Sequence, residues 1–420
     1  MSPMSQSIDL YNQLAKNFSR KINFDLKRIK NALSKLGHPE NQLRNVINII
    51  GSDGKYSLLT SLKYFLQANN YSVSTYISPS IKDIRERFFL GDKHLSYNDI
   101  KKSMRIIKNT DTKLTVFEAL TLIFIINAAK RNSDFNLVEA GALFAKDSTN
   151  VFSFPRAQAI VNINKQHLNF LKKKTLDEII NQKIGYLSKF SNIYIGKQKI
   201  KILRKIKKIL NKNPSKCAYS TWKLKKIKND YFYIDKFNKI KIRSNNIQSK
   251  GLLENLCQAI QIALNLNVNK NLIQKTIPKI KFEARVQILK EGKIKKKLYR
   301  NERILVDGCH SVVGAKNLYD FIKKFNIPIF GIWSMTKNKD PDEFIKQFNG
   351  IFEKIFITTI KNEPASLPAD ILIKSAIKNN LNYEKVKNFE EALNKVSSKK
   401  RKLIVCFGSL YGAGEILKKN

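Results

Sequence analysis

Cysteine is scarce in this chain, and its few examples are scattered. Cys217, Cys257, Cys309 and Cys406 form no Cys-x-x-Cys pair. That excludes zinc ribbons, argues against a disulfide framework, and leads us to expect a reducing, cytoplasmic compartment. Long apolar runs are missing too. The greasiest stretch, residues 114–126, contains Glu118 and is too short to cross a bilayer. It reads as a buried helix, and no membrane partner is expected. The first residues lack a basic stretch followed by an apolar run, so no secretion signal is expected. Acidic side chains are outnumbered: 33 Asp and Glu stand against 78 Lys and Arg, a formal net charge of +45. Such a field attracts nucleic acid, anionic membranes or acidic small molecules. The basic residues are spread widely, with local peaks at 201–212, 223–228 and 290–297, and Lys, Ile and Asn are used heavily together throughout. That pattern fits A/T-biased coding, with some attraction for anionic substrates, better than a dedicated nucleic-acid surface.

What is present is a globular α/β chain. At 420 residues and 43% hydrophobic content, two domains are the natural expectation. Strand-like runs alternate with helical patterns, which points to mainly parallel sheets. In the first part, strands are expected at 46–50, 72–77, 135–139, 157–163 and 192–195, and helices at 26–36, 57–67, 116–130 and 176–182. From 198 to 248 the pattern becomes shorter and more basic, as for small strands and helices near a boundary, and 252–264 is again helical. A second alternation has strands at 303–306, 327–333, 354–358 and 403–407, after a linker near 277–285 that contains Pro278. The expected domains are therefore 1–280 and 285–420.

The most informative stretch is Gly51-Ser52-Asp53-Gly54-Lys55-Tyr56-Ser57, between an apolar strand and a helix. Strand, glycine-rich turn, lysine, hydroxyl and helix make the layout of a phosphate-binding loop. Glycines let backbone N–H groups approach phosphate oxygens, the helix N-terminus adds partial positive charge, Lys55 reaches the outer phosphates, and Ser57 can ligate Mg²⁺. Other polar groups follow the expected strands: Ser78-Pro79, Glu139 with Gly141, and His167. Carboxyl ends of parallel strands are where such sheets bind ligands. A hydroxyl, a carboxylate and an imidazole there can hold Mg²⁺ ions with ATP oxygens. Glu139 would be costly if buried without a partner. Locally, His167 also reads as a surface or capping histidine, and Lys183, near a helix end before Gly185, as a solvated partner of the helix dipole. Asp307-Gly308-Cys309-His310 follows an apolar strand, where an acid can bind a ribose or cap the next helix.

These pieces, in order, resemble the folylpolyglutamate synthase/dihydrofolate synthase family, a branch of the Mur-ligase superfamily. Phe24-Asp25-Leu26-Lys27-Arg28-Ile29 and Leu36-Gly37-His38-Pro39 look like its segment before the phosphate loop. Residues 51–57 are similar to its G-T-N-G-K-G-S, Ser78-Pro79 to its T-S-P-H, and Glu86-Arg87 to the E-R that follows. Phe117-Glu118 with Thr121 resembles its F-E-x-x-T, and Glu139-x-Gly141 with Asp147-x-Thr149-Asn150 the ends of its E-V-G-L-G-G-R-x-D-x-T-N. His167 matches its D-H, Lys183-x-Gly185 its K-A-G, Asn255 its N-A-x-x-A-L, and Arg285 its P-G-R. Asp307 to His310 is similar to its D-G-A-H, and Lys339-Asp340 and Gly408-Ser409-Leu410-Tyr411 with Gly414-Glu415 match its last signatures. Each motif is weak alone, but their joint order from about residue 24 to 415 is specific.

The resemblance implies a phosphate-loop, parallel-sheet ATP-binding domain followed by a smaller Rossmann-like α/β domain that carries glutamate ligation. It implies an ATP-dependent ligase that adds L-glutamate to dihydropteroate, reduced folates or both through an acyl phosphate; a monomer is expected, though the sequence leaves the oligomeric state open. Carried over, Gly51, Gly54, Lys55, Ser57, Asn255, Arg285, Asp307 and His310 bind ATP. Ser57, Ser78, Glu139 and His167 hold Mg²⁺, two ions being expected. Lys55, His167 and Lys183 are the catalytic candidates, with Lys183 carbamoylated. There are departures. Tyr56 stands where a small residue is usual, and Ser80 replaces the His after Ser-Pro. Residues 142–145 replace Gly-Gly-Arg, Gln166 replaces the Asp before His167, and Ser311 replaces the Asn after His310. The Arg before the Ala-Leu-Pro-Ala-like run is missing, with Pro364 near its place. These spare most ATP and metal groups and bear more on the acceptor. A muramyl-peptide amino-acid ligase would share the phosphate loop, but the F-E-x-x-T helix and the D-G-x-H with G-S-L-Y favour the folate branch. A basic nucleic-acid-binding protein on a ligase scaffold is the reading from another class. Retention of Lys55, Glu139, His167, Lys183 and Asp307 argues against it.

Overall fold

In the computed structural model the apolar run Val46–Ile50 forms strand β1, buried at every position. Residues 3–228, 230–244, 247–337, 339–361 and 363–420 are described, so Asn229, Asn245 and Asn246 of the irregular 198–248 stretch lie outside them. The chain forms two units, Met1–Arg243 with Leu252–Ile280, and Ser244–Gly251 with Lys281–Asn420.

The first unit is built on an eight-stranded sheet. After β1 come β2 (Val73–Tyr76), β3 (Phe88–Gly91), β4 (Lys93–His94), β5 (Phe135–Glu139), β6 (Ala157–Ile160), β7 (Asn192–Ile195) and β8 (Cys217–Tyr219). Their spatial order is β4-β3-β2-β5-β1-β6-β7-β8. The run from β2 to β8 is parallel, and β3 and β4 add an antiparallel edge. Central parallel strands are covered on both faces, which is why β1, β2, β5 and β6 are buried throughout. Asn48, the polar residue inside β1, donates its amide to the Thr149 carbonyl at 3.2 Å. The expected buried helix is Val116–Arg131, opened by a capping box between Thr115 and Glu118. A separate antiparallel sheet, β9 (Lys223–Ile227), β10 (Asp230–Ile234) and β11 (Lys239–Ile242), accounts for much of the irregular basic stretch.

Two expected boundaries move for a reason that matters to the site. The strand expected at 157–163 ends as β6 at Ile160 because Asn162 turns away: its carbonyl accepts the Ser52 N–H at 2.8 Å. The helix expected from Ser57 starts at Lys55, directly after Gly54.

The second unit has a six-stranded sheet of β12 (Gln287–Ile288), β13 (Glu302–Val306), β14 (Ile329–Trp333), β15 (Lys354–Ile357), β16 (Tyr383–Lys385) and β17 (Lys402–Phe407). The order is β12-β13-β17-β14-β15-β16, parallel except for β12. Trp333, Phe344, Phe348, Phe352 and Phe407 stack into one aromatic cluster. Buried Glu302 and Lys402 sit 3.7 Å apart at the starts of adjacent strands. Both ends of that pair are also hydrogen-bonded, Glu302 by Ser398 N–H at 2.8 Å and Lys402 to the Val396 carbonyl at 2.7 Å. Among the described residues no helix is long and apolar enough to cross a membrane.

Candidate active site

Four neighbouring parallel strands, β2-β5-β1-β6, point their carboxyl ends the same way. Ser78 follows β2, Glu139 ends β5, the phosphate loop follows β1, and His167 lies on the loop after β6. The chain steps from β1 to one side and later to the other, which makes this end of the sheet a crevice.

The phosphate loop is shaped by its glycines. Gly51 and Gly54 have φ of 149° and 98°, values that side chains strain to adopt. A Cβ on Gly54 would also run into the Asn255 amide, and one on Gly51 into Val161. Asn255, on the helix Lys250–Asn265, is therefore packed against the loop. Lys55 folds its ammonium back over the loop, donating to the carbonyls of Gly51 at 3.4 Å and Ser52 at 3.3 Å. It also lies 3.9 Å from Glu139 Oε1. The other Glu139 oxygen accepts the Ser78 N–H at 3.1 Å. Glu139 is buried, and these contacts are the partners its burial requires. Ser57 is buried in the first turn of the helix, and Tyr56 is only partly covered.

Neighbouring motifs hold this geometry. Glu86 accepts the N–H groups of Ile81 at 2.7 Å and Lys82 at 3.0 Å, which fixes the turn after Ser78-Pro79. Ser80, at a departure from the family pattern, bonds the Tyr11 hydroxyl at 2.8 Å. Glu118 receives Arg28 Nη2–H at 2.9 Å and the Thr115 N–H at 2.7 Å. Thr121 shares a 2.6 Å hydrogen bond with Ser148, which ties the helix Val116–Arg131 to the loop after β5. In that loop Asp147 is buried. Burial pushes its carboxyl up, opposed by the Thr149 hydroxyl and N–H, the Gly141 N–H and Lys183.

Lys183 is not the solvated residue that its position at a helix end suggests. It is 1% exposed and donates to the Gly51 carbonyl at 2.8 Å and the Ala142 carbonyl at 2.7 Å. The helix end brings it to the back of the phosphate loop. Its pKa is lowered to about 7, chiefly by burial and next by the Lys55 charge, with Asp147 and Asp53 opposing. His167 opens a short turn in the left-handed region, with φ of 59°, and stacks on Phe170 with ring centroids 6.0 Å apart.

Within the second unit, Arg285, just before β12, lies beside Asp307, which with His310 follows β13. Asp307 accepts the N–H groups of Val286 and Cys309, each at 2.7 Å. Burial raises its carboxyl and the Arg285 charge opposes. It does not cap the following helix; Ser311 does, accepting the Gly314 N–H at 3.0 Å. His310 Nδ1–H donates to the Gly308 carbonyl at 3.2 Å. A recess at the carboxyl ends of β14, β15 and β17 is lined by Ser334, Thr358, Thr359, Gly412 and Glu415. No local motif announces it, because its polar groups come from three separate segments.

The donor set suits Mg²⁺ bound jointly with phosphate. Among the described residues no cluster of three His, Cys, Asp or Glu forms a metal cage. Mg²⁺ is commonly held by one or two carboxylates plus substrate phosphates rather than by an all-protein cage. One carboxylate, Glu139, beside a phosphate loop with a hydroxyl at Ser57 fits that mode.

No family model matches the chain. It is 24% identical to the dihydrofolate synthetase of Saccharomyces cerevisiae over 422 residues, covering 94% of this chain and 98% of that protein. In fold it matches Escherichia coli FolC in complex with DHPP and ADP, with a TM-score of 0.85, 18% identity and 97% of each chain covered. It also matches the bifunctional folylpolyglutamate synthase/dihydrofolate synthase of Yersinia pestis complexed with AMPPNP and Mn, with a TM-score of 0.85, 16% identity, and 99% and 98% coverage of the two chains. The chain is a homologue of the dihydrofolate synthases and folylpolyglutamate synthases, alike with them in length and fold.

Proposed function

We propose that the chain is an ATP-dependent ligase that joins L-glutamate to the carboxylate of dihydropteroate, a reduced folate, or both. The observation that carries this reading is the grouping of Lys55, Glu139 and Ser78 beside a glycine-shaped loop at the ends of β1, β5 and β2. In the reaction, a carboxylate oxygen of the acceptor attacks the γ-phosphorus of ATP, ADP leaves, and an acyl phosphate forms. The glutamate amine then attacks the carbonyl carbon, a tetrahedral intermediate collapses, phosphate leaves, and the amine loses its proton. Lys55 is placed to offset charge on the phosphoryl group, and the loop N–H groups to cradle the neighbouring phosphates. Asn255, Arg285, Asp307 and His310 are assigned as further ATP contacts.

Ser57, Ser78, Glu139 and His167 are assigned to hold up to two Mg²⁺ ions, which offset phosphate charge during transfer. Lys183 is assigned as a carbamate. Its neutral amine adds to CO₂, an N–C bond forms and one proton is lost, leaving an N–H that can keep one of its two carbonyl partners. A pKa of about 7 supplies the neutral amine that this addition needs. The test is mass spectrometry of the acceptor after incubation with ATP, Mg²⁺ and glutamate. A product one glutamyl residue heavier, formed only with ATP, supports the reading; an unchanged acceptor across dihydropteroate and reduced folates rejects it.

A further inference from the structure

One carboxylate joins the phosphate loop to the loop that carries His167. Asp53, between the two loop glycines, accepts Asn164 Nδ2–H at 2.7 Å and Gln166 Nε2–H at 2.9 Å, one on each oxygen. The other hydrogen of the Asn164 amide goes to Asn162 Oδ1 at 3.0 Å. The backbones are pinned alongside: Asp53 bridges to Asn162, and Ser52 Oγ accepts the Asn164 N–H at 3.1 Å. Gln166 is the last fixed side chain before His167, whose own backbone is in the left-handed region.

In the motifs this chain resembles, the amide stands in the phosphate loop, as the N of G-T-N-G-K-G-S, and the acid stands before the His, as the D of D-H. Here the acid is in the loop and the amide precedes the His. The two departures meet at one 2.9 Å hydrogen bond. Exchanging both ends keeps one donor, one acceptor and one negative charge. Exchanging either end alone sets two carboxylates against each other, or leaves two amides and no charge. Like charges this close are strongly unfavourable, so the two departures form one compensated change.

We propose that Asp53 is a positioning residue that acts through Gln166, holding the His167 loop against the phosphate loop so that His167 serves the Mg²⁺–nucleotide complex. The proposal rests on the ligase reading given above. It is tested by calorimetric titration of ADP with MgCl₂ into the whole chain, together with thermal melting. Gln166→Asp is expected to weaken Mg²⁺–ADP binding by about tenfold or more, since it faces Asp53 with a second carboxylate. Adding Asp53→Asn rebuilds the pair in the opposite sense and is expected to restore binding to within about threefold of the parent, the non-additivity expected of two residues in contact. Asp53→Ala, which adds no charge, keeps the test open if Gln166→Asp does not fold. It is expected to raise the Mg²⁺ concentration at half-saturation several-fold more than it weakens ADP binding at saturating Mg²⁺.

A double variant no better than Gln166→Asp, or an Asp53→Ala variant with unchanged Mg²⁺ dependence, overturns the proposal. Rescue seen in melting temperature alone, with Mg²⁺–ADP binding unaffected throughout, makes the pair structural and also overturns it. Failure of the parent protein to bind Mg²⁺–ADP would instead defeat the ligase reading. The melting cycle would still report whether residues 53 and 166 are coupled.

Discussion

Lys183 gives a stability prediction that needs no substrate. Its amine is buried behind the phosphate loop with a pKa near 7, while in the unfolded chain it titrates near 10.4. Between those values the unfolded chain binds more protons than the folded one, so stability rises with pH. The gain begins near pH 7 and is complete only above the unfolded pKa. From pH 7 to 9 the window spans two pH units at about 1.4 kcal/mol each. Half of the amine is already neutral at pH 7, which leaves a gain of about 2 kcal/mol. Lys63 and other groups titrate in the same range, Lys63 having been lowered by burial to about 8. The comparison is therefore with Lys183→Met, which keeps the length of the side chain and removes the amine. Urea denaturation of both proteins, in CO₂-depleted buffer without Mg²⁺ or nucleotide, isolates the term. The parent should gain about 2 kcal/mol more than Lys183→Met between pH 7 and 9. The variant will be less stable overall, because the Gly51 and Ala142 carbonyls lose the Lys183 amine, Gly51 keeping only its longer bond from Lys55. Equal pH dependence in the two proteins would refute the reasoning, whatever their absolute stabilities.

Further outcomes follow from the same geometry. Lys55→Ala should abolish most glutamate-dependent phosphate release, by roughly a hundredfold or more, while circular dichroism stays unchanged; near-normal turnover would remove Lys55 from the ATP site. Glu139→Gln keeps an acceptor for the Ser78 N–H and should raise the Mg²⁺ requirement more than it lowers the melting temperature. A melting shift with unaltered Mg²⁺ dependence would make Glu139 structural. Gly54→Ala should cost about 1–2 kcal/mol for its positive φ alone, plus the collision with Asn255. Combining it with Asn255→Ala should recover the collision part in denaturation, and strict additivity of the two changes would show that no collision exists. ¹³CO₂ labelling should give a carbamate signal that disappears in Lys183→Met, and an unlabelled parent at pH 8 would leave Lys183 as a plain amine.

The parallel sheets were legible because β1, β5, β6 and β17 are mostly apolar, as strands buried at every position tend to be. The phosphate loop was legible because its glycines, lysine and hydroxyl are consecutive in the chain. Sheet order was not legible, since pairing of β5 between β1 and β2 is a long-range event with no local signal. The edge strands β3 and β4 and the short β12 and β16 were missed for want of length. Local chemistry misread Lys183 because its burial comes from a loop more than a hundred residues earlier in the chain, at Gly51. Asp53 was passed over for a related reason. As a loop residue it looks like ordinary turn chemistry, and only the fold brings Asn164 and Gln166 to its two oxygens. The family resemblance marked Gln166 as a departure without showing that Asp53 answers it.

The central claim is that ATP activates a carboxylate as an acyl phosphate, which glutamate then captures. It is tested most directly by following ¹⁸O from the acceptor carboxylate. With labelled dihydropteroate, or a labelled reduced folate, plus ATP, Mg²⁺ and glutamate, phosphate released during product formation should carry one ¹⁸O from that carboxylate. Product formed with unlabelled phosphate, or phosphate release that ignores both acceptor and glutamate, would contradict the account.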